Sequence, residues 1–187
     1  LRVAASVWGG PSYLQRWRAT DNALEAVAAQ HCDGLLILDE LAQVDPRTAG
    51  ECAYMLANET SKARSTRTGQ TRQRLTWRLL FLSAGEIGLA AHMAEGGKRV
   101  RTGQELRMVD LPAEVTPGTV FDTTHEHEGG AAFAMHLAKL CEAQHGEAGI
   151  AWVRWCVDHV DTLRERTRDA SEHLAAQWVS EGASGQV

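Results

Sequence analysis

No apolar run in the 187 residues approaches the roughly 20 needed to span a bilayer, and no signal-peptide pattern opens the chain. A cytoplasmic protein is expected. The four cysteines, Cys32, Cys52, Cys141 and Cys156, form no CxxC pair and share no regular spacing, so free thiols in a reducing cytoplasm are the expectation. His125-Glu126-His127 offers metal-binding donors, but no third ligand lies at a recognisable spacing, so solvated loop histidines are expected there. No internal repeat is visible. Acidic residues are missing from one whole segment, Ser61 to Arg78, although the chain as a whole carries a net charge of −5.

What is present suits one globular domain: 44% hydrophobic and 23% charged residues, with enough length to bury a core. Positive charge is gathered between Lys62 and Arg107, where more than half of the 19 Lys and Arg fall. That clustering says more about possible partners than the net charge does.

Alternating elements follow from the pattern. "LRVAASVWG" places Leu1, Ala4, Ala5 and Trp8 on one helical face before Gly9-Gly10-Pro11, and looks like the tail of a helix. "SYLQRW" reads as a short strand, and Thr20 or Asp21 caps a helix through Leu24, Val27 and Ala28. "LLILD" is a continuous apolar run of the kind buried on both faces of a parallel sheet. Pro46 suits the first turn of a helix carrying Ala49, Cys52, Ala53 and Leu56. "SKARSTRTGQTRQR" reads as a loop or exposed hairpin, "WRLLFLS" as a second buried strand, "GLAAHMAEGG" as a short helix and "ELRMVDLP" as a third strand stopped by Pro112. From about Gly130 the chain is expected to be helical, in one segment through "AAFAMHLAKLCEAQHG" and a long one from about Ala148 to Val179. The composition of "SEGASGQV" predicts a disordered tail. The boundaries drawn from this pattern are an α/β core over 1–128, a helical extension over 129–180 and a tail over 181–187.

A buried strand that ends in two adjacent acids, Asp39 and Glu40, has the Walker B pattern of nucleotide-hydrolysing P-loop proteins. In that chemistry the first acid, here Asp39, helps hold Mg²⁺, commonly through water. The second, Glu40, polarises the water that attacks the γ-phosphate. Alternation along a strand would present the two acids to opposite sides. "LLFLSAGE" then supplies another strand ending in a small hydroxyl residue, Ser83, at the place where many such ATPases put a polar sensor; an ordinary strand end is the plain alternative. Lys98, Arg99, Arg101 and Arg107 lie where ring-forming ATPases often carry an arginine that reaches a neighbour's γ-phosphate.

The stretches "WRATDN", "LLILDEL", "LSAGE" and "GQELRMVDLP" together resemble the domain of unknown function 927 family, described as P-loop, helicase-like ATPase domains of phage, plasmids and integrative elements. The likeness runs from residue 1 to about residue 155. It implies a P-loop NTPase (RecA/AAA+-like) parallel sheet flanked by helices, ATP and Mg²⁺ as cofactors, DNA as partner, a homo-oligomer, and primase-type modules as neighbours. It implies Asp39, Glu40, Ser83 and Arg107 as the catalytic set. Two departures stand out. The glycine-rich Gly-Lys-Thr loop and its strand, which the family carries just ahead of the segment matching "LRVAASVWG", are missing, so tight ATP binding by these residues alone is not expected. "NETSKARS" also replaces a glycine-richer stretch, with Lys62 and Arg64 matching its basic positions.

Lys62, Arg64, Arg67, Arg72 and Arg74, separated by Ser, Thr, Gly and Gln, form a cationic strip that would bind phosphates without reading sequence. A solvated loop with no ligand is the alternative. Few aromatics are interleaved, so no stacking platform is expected. The reading that results is a helicase-like ATPase domain coupling ATP hydrolysis to nucleic-acid binding in mobile-element DNA replication. Against it stands a non-catalytic nucleic-acid-binding or assembly module that retains the fold.

Overall fold

The sheet is built around the run Gly34–Asp39, whose central Leu36, Ile37 and Leu38 are all fully buried. The computed structural model describes residues 1–18, 20–64, 73–114 and 119–178. Ahead of this central strand, β2, come helix α1 (Arg2–Trp8), the two-residue strand β1 (Gln15–Arg16) and helix α2 (Asp21–Gln30). Thr20 caps α2 as its composition predicts: its hydroxyl accepts the Ala23 N–H, satisfying one of the donors a helix start leaves open. After β2 come α3 (Ala49–Ala57), β3 (Leu79–Ala84), α4 (Leu89–Glu95) and α5 (Thr102–Glu105). The chain continues through α6 (Gly130–Ala143), α7 (Glu147–Asp158) and α8 (Val160–Trp178).

The three strands are parallel in the order β1-β2-β3, with Asp39 paired to Arg16 on one side and to Ala84 on the other. Leu36 and Leu38 face α2, α3 and α4, where Leu24, Ala28, Ala53, Leu56, Trp77, Leu89 and Met93 close the main core. Burying such a set contributes about 1.5–3 kcal/mol for each large apolar side chain. Separately, α1 packs on α6 and α7. Gly149 makes that contact close: a Cβ there would lie 2.6 Å from the Val7 carbonyl oxygen, a backbone atom that cannot turn aside.

Five expectations are corrected by these positions. "WRLLFLS" does form a strand, but not one buried on both faces. Leu79 and Phe81 pack on the core, while Leu80 is 77% exposed, because β3 is the sheet edge and no described helix covers its other face. "SYLQRW" gives two strand residues after a 3₁₀ turn at Pro11–Tyr13. Pro46 precedes α3 without entering it: Asp45 organises a turn in which its carbonyl accepts the Thr48 and Ala49 N–H groups and its carboxylate accepts the Arg47 N–H.

"ELRMVDLP" is not a strand. The Arg101 N–H donates to the Gln104 side-chain oxygen, which starts the helical turn α5, and the apolar residues beyond it find no sheet edge, with Leu111 81% exposed. The long C-terminal helix is broken at His159, whose ring Nδ1 bonds the Trp155 carbonyl at 2.8 Å while the imidazole stacks on the Trp155 indole. A side chain that takes the i−4 carbonyl competes with the helix's own ladder. The expected tail lies outside the described residues, which end with α8 at Trp178.

Candidate functional site

Asp39 ends the central strand at its carboxyl edge. A parallel sheet collects its ligand-binding groups at that edge because the strands stop there together and loops leave in different directions. The Asp39 Oδ1 accepts the Glu40 N–H at 3.0 Å, which fixes the carboxylate's orientation and leaves Oδ2 without a hydrogen bond among the described residues. Asp39 lines a cleft of about 460 Å³ together with Leu1, Arg2, Leu14, Arg16 and Ala84. The beginning of α1 therefore meets the end of β2 across this cleft.

Glu40 does not continue the strand's alternation. Its backbone is left-handed, φ 61° and ψ 61°, so a sharp turn and not the pleat directs its side chain. A side-chain-bearing residue held there costs about 1–3 kcal/mol, a strain that concentrates at functional positions. Its carboxylate lies 3.6 Å from the Arg16 guanidinium and accepts from the Gln43 side-chain amide, and it is not among the groups lining the cleft itself.

Ser83 sits one residue before Ala84 in β3, in register with Leu38. Its side chain therefore leaves the sheet on the face opposite to that of Asp39. Its Oγ accepts the indole N–H of the fully buried Trp17 at 2.8 Å. The hydroxyl keeps its own proton for donation. Arg107 lies elsewhere: it follows α5, donates to the Gly103 carbonyl at 2.7 Å and rests over the Tyr54 ring, 4.7 Å from its centroid. The structure thus brings Asp39, Glu40 and Ser83 to one end of the sheet and places Arg107 against α3.

The basic strip leaves the core through a hairpin stem. Thr60 and Thr76 form an antiparallel bridge, and the Ser61 N–H donates to the Leu75 carbonyl at 2.9 Å. Arg67 and Arg72 lie outside the described residues. Arg74 is exposed. The Arg64 guanidinium forks onto both oxygens of Glu25, a residue only 1% exposed, and the Lys62 backbone N–H donates to the same carboxylate at 3.1 Å. Burial pushes the Glu25 carboxyl up, yet the bonds from Arg64 and Lys62 and the two positive charges outweigh it and hold it below the usual carboxylate value. Beyond the end of β2, Asp45 is held down at about 2, chiefly by the Arg47 side chain and then by its N–H.

His125 and His127 pack against Phe133, and the His127 and His136 rings lie 4.6 Å apart; among the described residues no group of three metal-ligating side chains converges. Sequence reasoning missed Trp17, Arg16 and Glu25. Only Glu25 left a trace, as a lone acid beside Leu24 on the apolar stripe of α2.

The fold and this site define an α/β protein with a small three-stranded parallel sheet and eight α-helices among the described residues, carrying acids at the sheet's carboxyl edge. The family model described as Domain of unknown function (DUF927) matches residues 1–76, and over those residues the chain is similar to that family. The matched segment contains Asp39 and Glu40, and ends before Ser83 and Arg107. No curated protein and no solved structure matches the chain.

Proposed function

We propose that the carboxyl edge of the sheet is the Mg²⁺-nucleotide site of a helicase-like ATPase, of RecA/AAA+ P-loop type, that acts on DNA in the replication of a mobile element. The observation that carries this reading is the cleft in which Asp39, at the end of the central strand, faces the first residues of α1. A glycine-rich Gly-Lys-Thr loop ahead of Leu1, as the family resemblance implies, would deliver phosphate-binding N–H groups into that cleft.

The donor set fits a hard cation: among the described residues Asp39 Oδ2 takes no hydrogen bond, and Mg²⁺ is typically held by one or two carboxylates plus phosphate oxygens and waters. When bound, the ion neutralises charge on the phosphates. Asp39 would hold the ion, through water as the Walker B pattern implies. Glu40, turned out of the strand on its left-handed backbone, orients and deprotonates the attacking water, with Arg16 and Gln43 steadying its carboxylate. Ser83 accepts the Trp17 indole N–H on the sheet face opposite to Asp39, so its part is to tie the end of β3 to the residue that follows β1. The strip from Lys62 to Arg74 gives the nucleic-acid contact, and assembly into a homo-oligomer would let a neighbour's Arg107 reach the phosphates.

The test is ATP hydrolysis, with and without single-stranded DNA, by a polypeptide carrying the Gly-Lys-Thr loop ahead of Leu1. Hydrolysis that DNA stimulates is the expected result. DNA binding with no turnover would instead favour the non-catalytic module.

A further inference from the structure

A second cleft, of about 640 Å³, runs beside α3. It reaches from Arg47, ahead of the helix, to Asn58 and Lys62 beyond its other end, a span of roughly 14 Å at 1.5 Å per helical residue. Lys98, Arg99 and Arg101 form its opposite wall. Residues distant in sequence are brought together here, since β3 and α4 lie between α3 and the 98–104 segment along the chain.

The charge balance is one-sided. Arg47 is neutralised by Asp45, 2.8 Å away, and among the described residues Glu51 is the single acid in the lining. Lys98, Arg99 and Arg101 are exposed, and among the described residues none of the three is in an ion pair. Three cations kept this close without counter-charges repel one another, and an external polyanion relieves that repulsion. Tyr54 supplies the second feature. It is 41% exposed in this cleft, and the Arg107 guanidinium over its ring holds it in place. An aromatic ring inside a cationic cleft is the combination that single strands use, phosphates on the cations and a base on the ring.

We propose that this cleft seats a short stretch of single-stranded nucleic acid, its phosphates on Lys98, Arg99 and Arg101 and a base on Tyr54. The volume is that of a site for one small-molecule-sized ligand, about one or two nucleotides, and not of a groove for a duplex. The inference deepens the nucleic-acid part of the proposed function, with Lys62 joining the cleft to the hairpin strip, and its test does not require ATP hydrolysis.

Fluorescence anisotropy of a labelled oligothymidylate on the 187-residue chain, titrated across salt concentrations, tests it. Lys98→Ala/Arg99→Ala/Arg101→Ala is expected to weaken binding at least about tenfold and to lower the slope of log affinity against log salt by about 2, near 0.7 for each phosphate that is no longer neutralised. Tyr54→Ala should weaken binding about tenfold with the slope unchanged, and Tyr54→Phe should restore it. Arg164→Glu/Arg168→Glu on α8 changes the net charge by a similar amount away from the cleft and should have little effect. Thermal melts confirm that each variant is folded. If the wild-type chain binds DNA and the triple variant binds equally well, the cleft assignment is wrong and the hairpin strip keeps the role. If polyglutamate binds as tightly as DNA, or Tyr54→Ala has no effect, the cleft is not a nucleic-acid seat. No DNA binding by the wild-type chain at low salt would overturn both this inference and the nucleic-acid part of the proposed function.

Discussion

Glu40→Gln should lower ATP hydrolysis about 10²–10⁴-fold in a polypeptide carrying the phosphate-binding loop, while leaving ATP affinity unchanged. The substitution keeps the side chain's size and its acceptor for Gln43, so the turn at residue 40 survives. What it removes is the carboxylate's basicity, needed only as the water attacks. An interaction made only in the transition state lowers kcat and kcat/KM together. Retained turnover with normal folding would take Glu40 out of the chemistry and leave its left-handed backbone as a feature of the turn alone. The measurement is steady-state phosphate release beside equilibrium nucleotide binding.

Arg64→Ala should be among the most destabilising single changes, by about 3 kcal/mol, a fall in Tm of roughly 6–12 °C for a chain of this size. The arginine is about a third exposed, but its partner Glu25 is almost wholly buried, so its loss strands a negative charge under the hairpin stem. Removing both ends, in Glu25→Gln/Arg64→Ala, should recover much of the loss, because an amide still accepts the Lys62 N–H without carrying charge. The pH dependence has a defined sign. Glu25 has its folded-state value depressed below 4.5, so the stability it contributes is fully present above 4.5 and is lost as pH falls through the folded value. The gap between wild type and Arg64→Ala therefore narrows on acidification below about 4.5. A gap that stays constant across that range, in urea melts at several pH values, would show that the pair adds nothing beyond packing.

The parts of this fold that could be read from sequence are those decided locally. "LLILD" reads as a buried strand because it is a short, continuous apolar run, and Thr20 announces α2 through a hydrogen bond made three residues away. What escaped depends on neighbours. "WRLLFLS" is as apolar as β2, yet Leu80 faces solvent, since apolarity says nothing about which strand is at the edge. "ELRMVDLP" has strand-like residues, but Gln104 closes a helical turn first and no strand waits beside it. At the candidate site, Asp39 and Glu40 were visible as adjacent acids, while the left-handed turn between strand and loop was not. Trp17 with Ser83 and Glu25 with Arg64 join residues 66 and 39 positions apart, which no periodicity encodes.

The central claim, that Asp39 serves a metal-bound nucleotide, is tested most directly by the binding of a fluorescent ATP analogue with and without Mg²⁺, in the loop-bearing polypeptide and its Asp39→Asn variant. Mg²⁺ is expected to tighten binding at least about tenfold in the wild type, and Asp39→Asn to abolish this gain while leaving metal-free binding unchanged. Equal gains from Mg²⁺ in both proteins would contradict the claim.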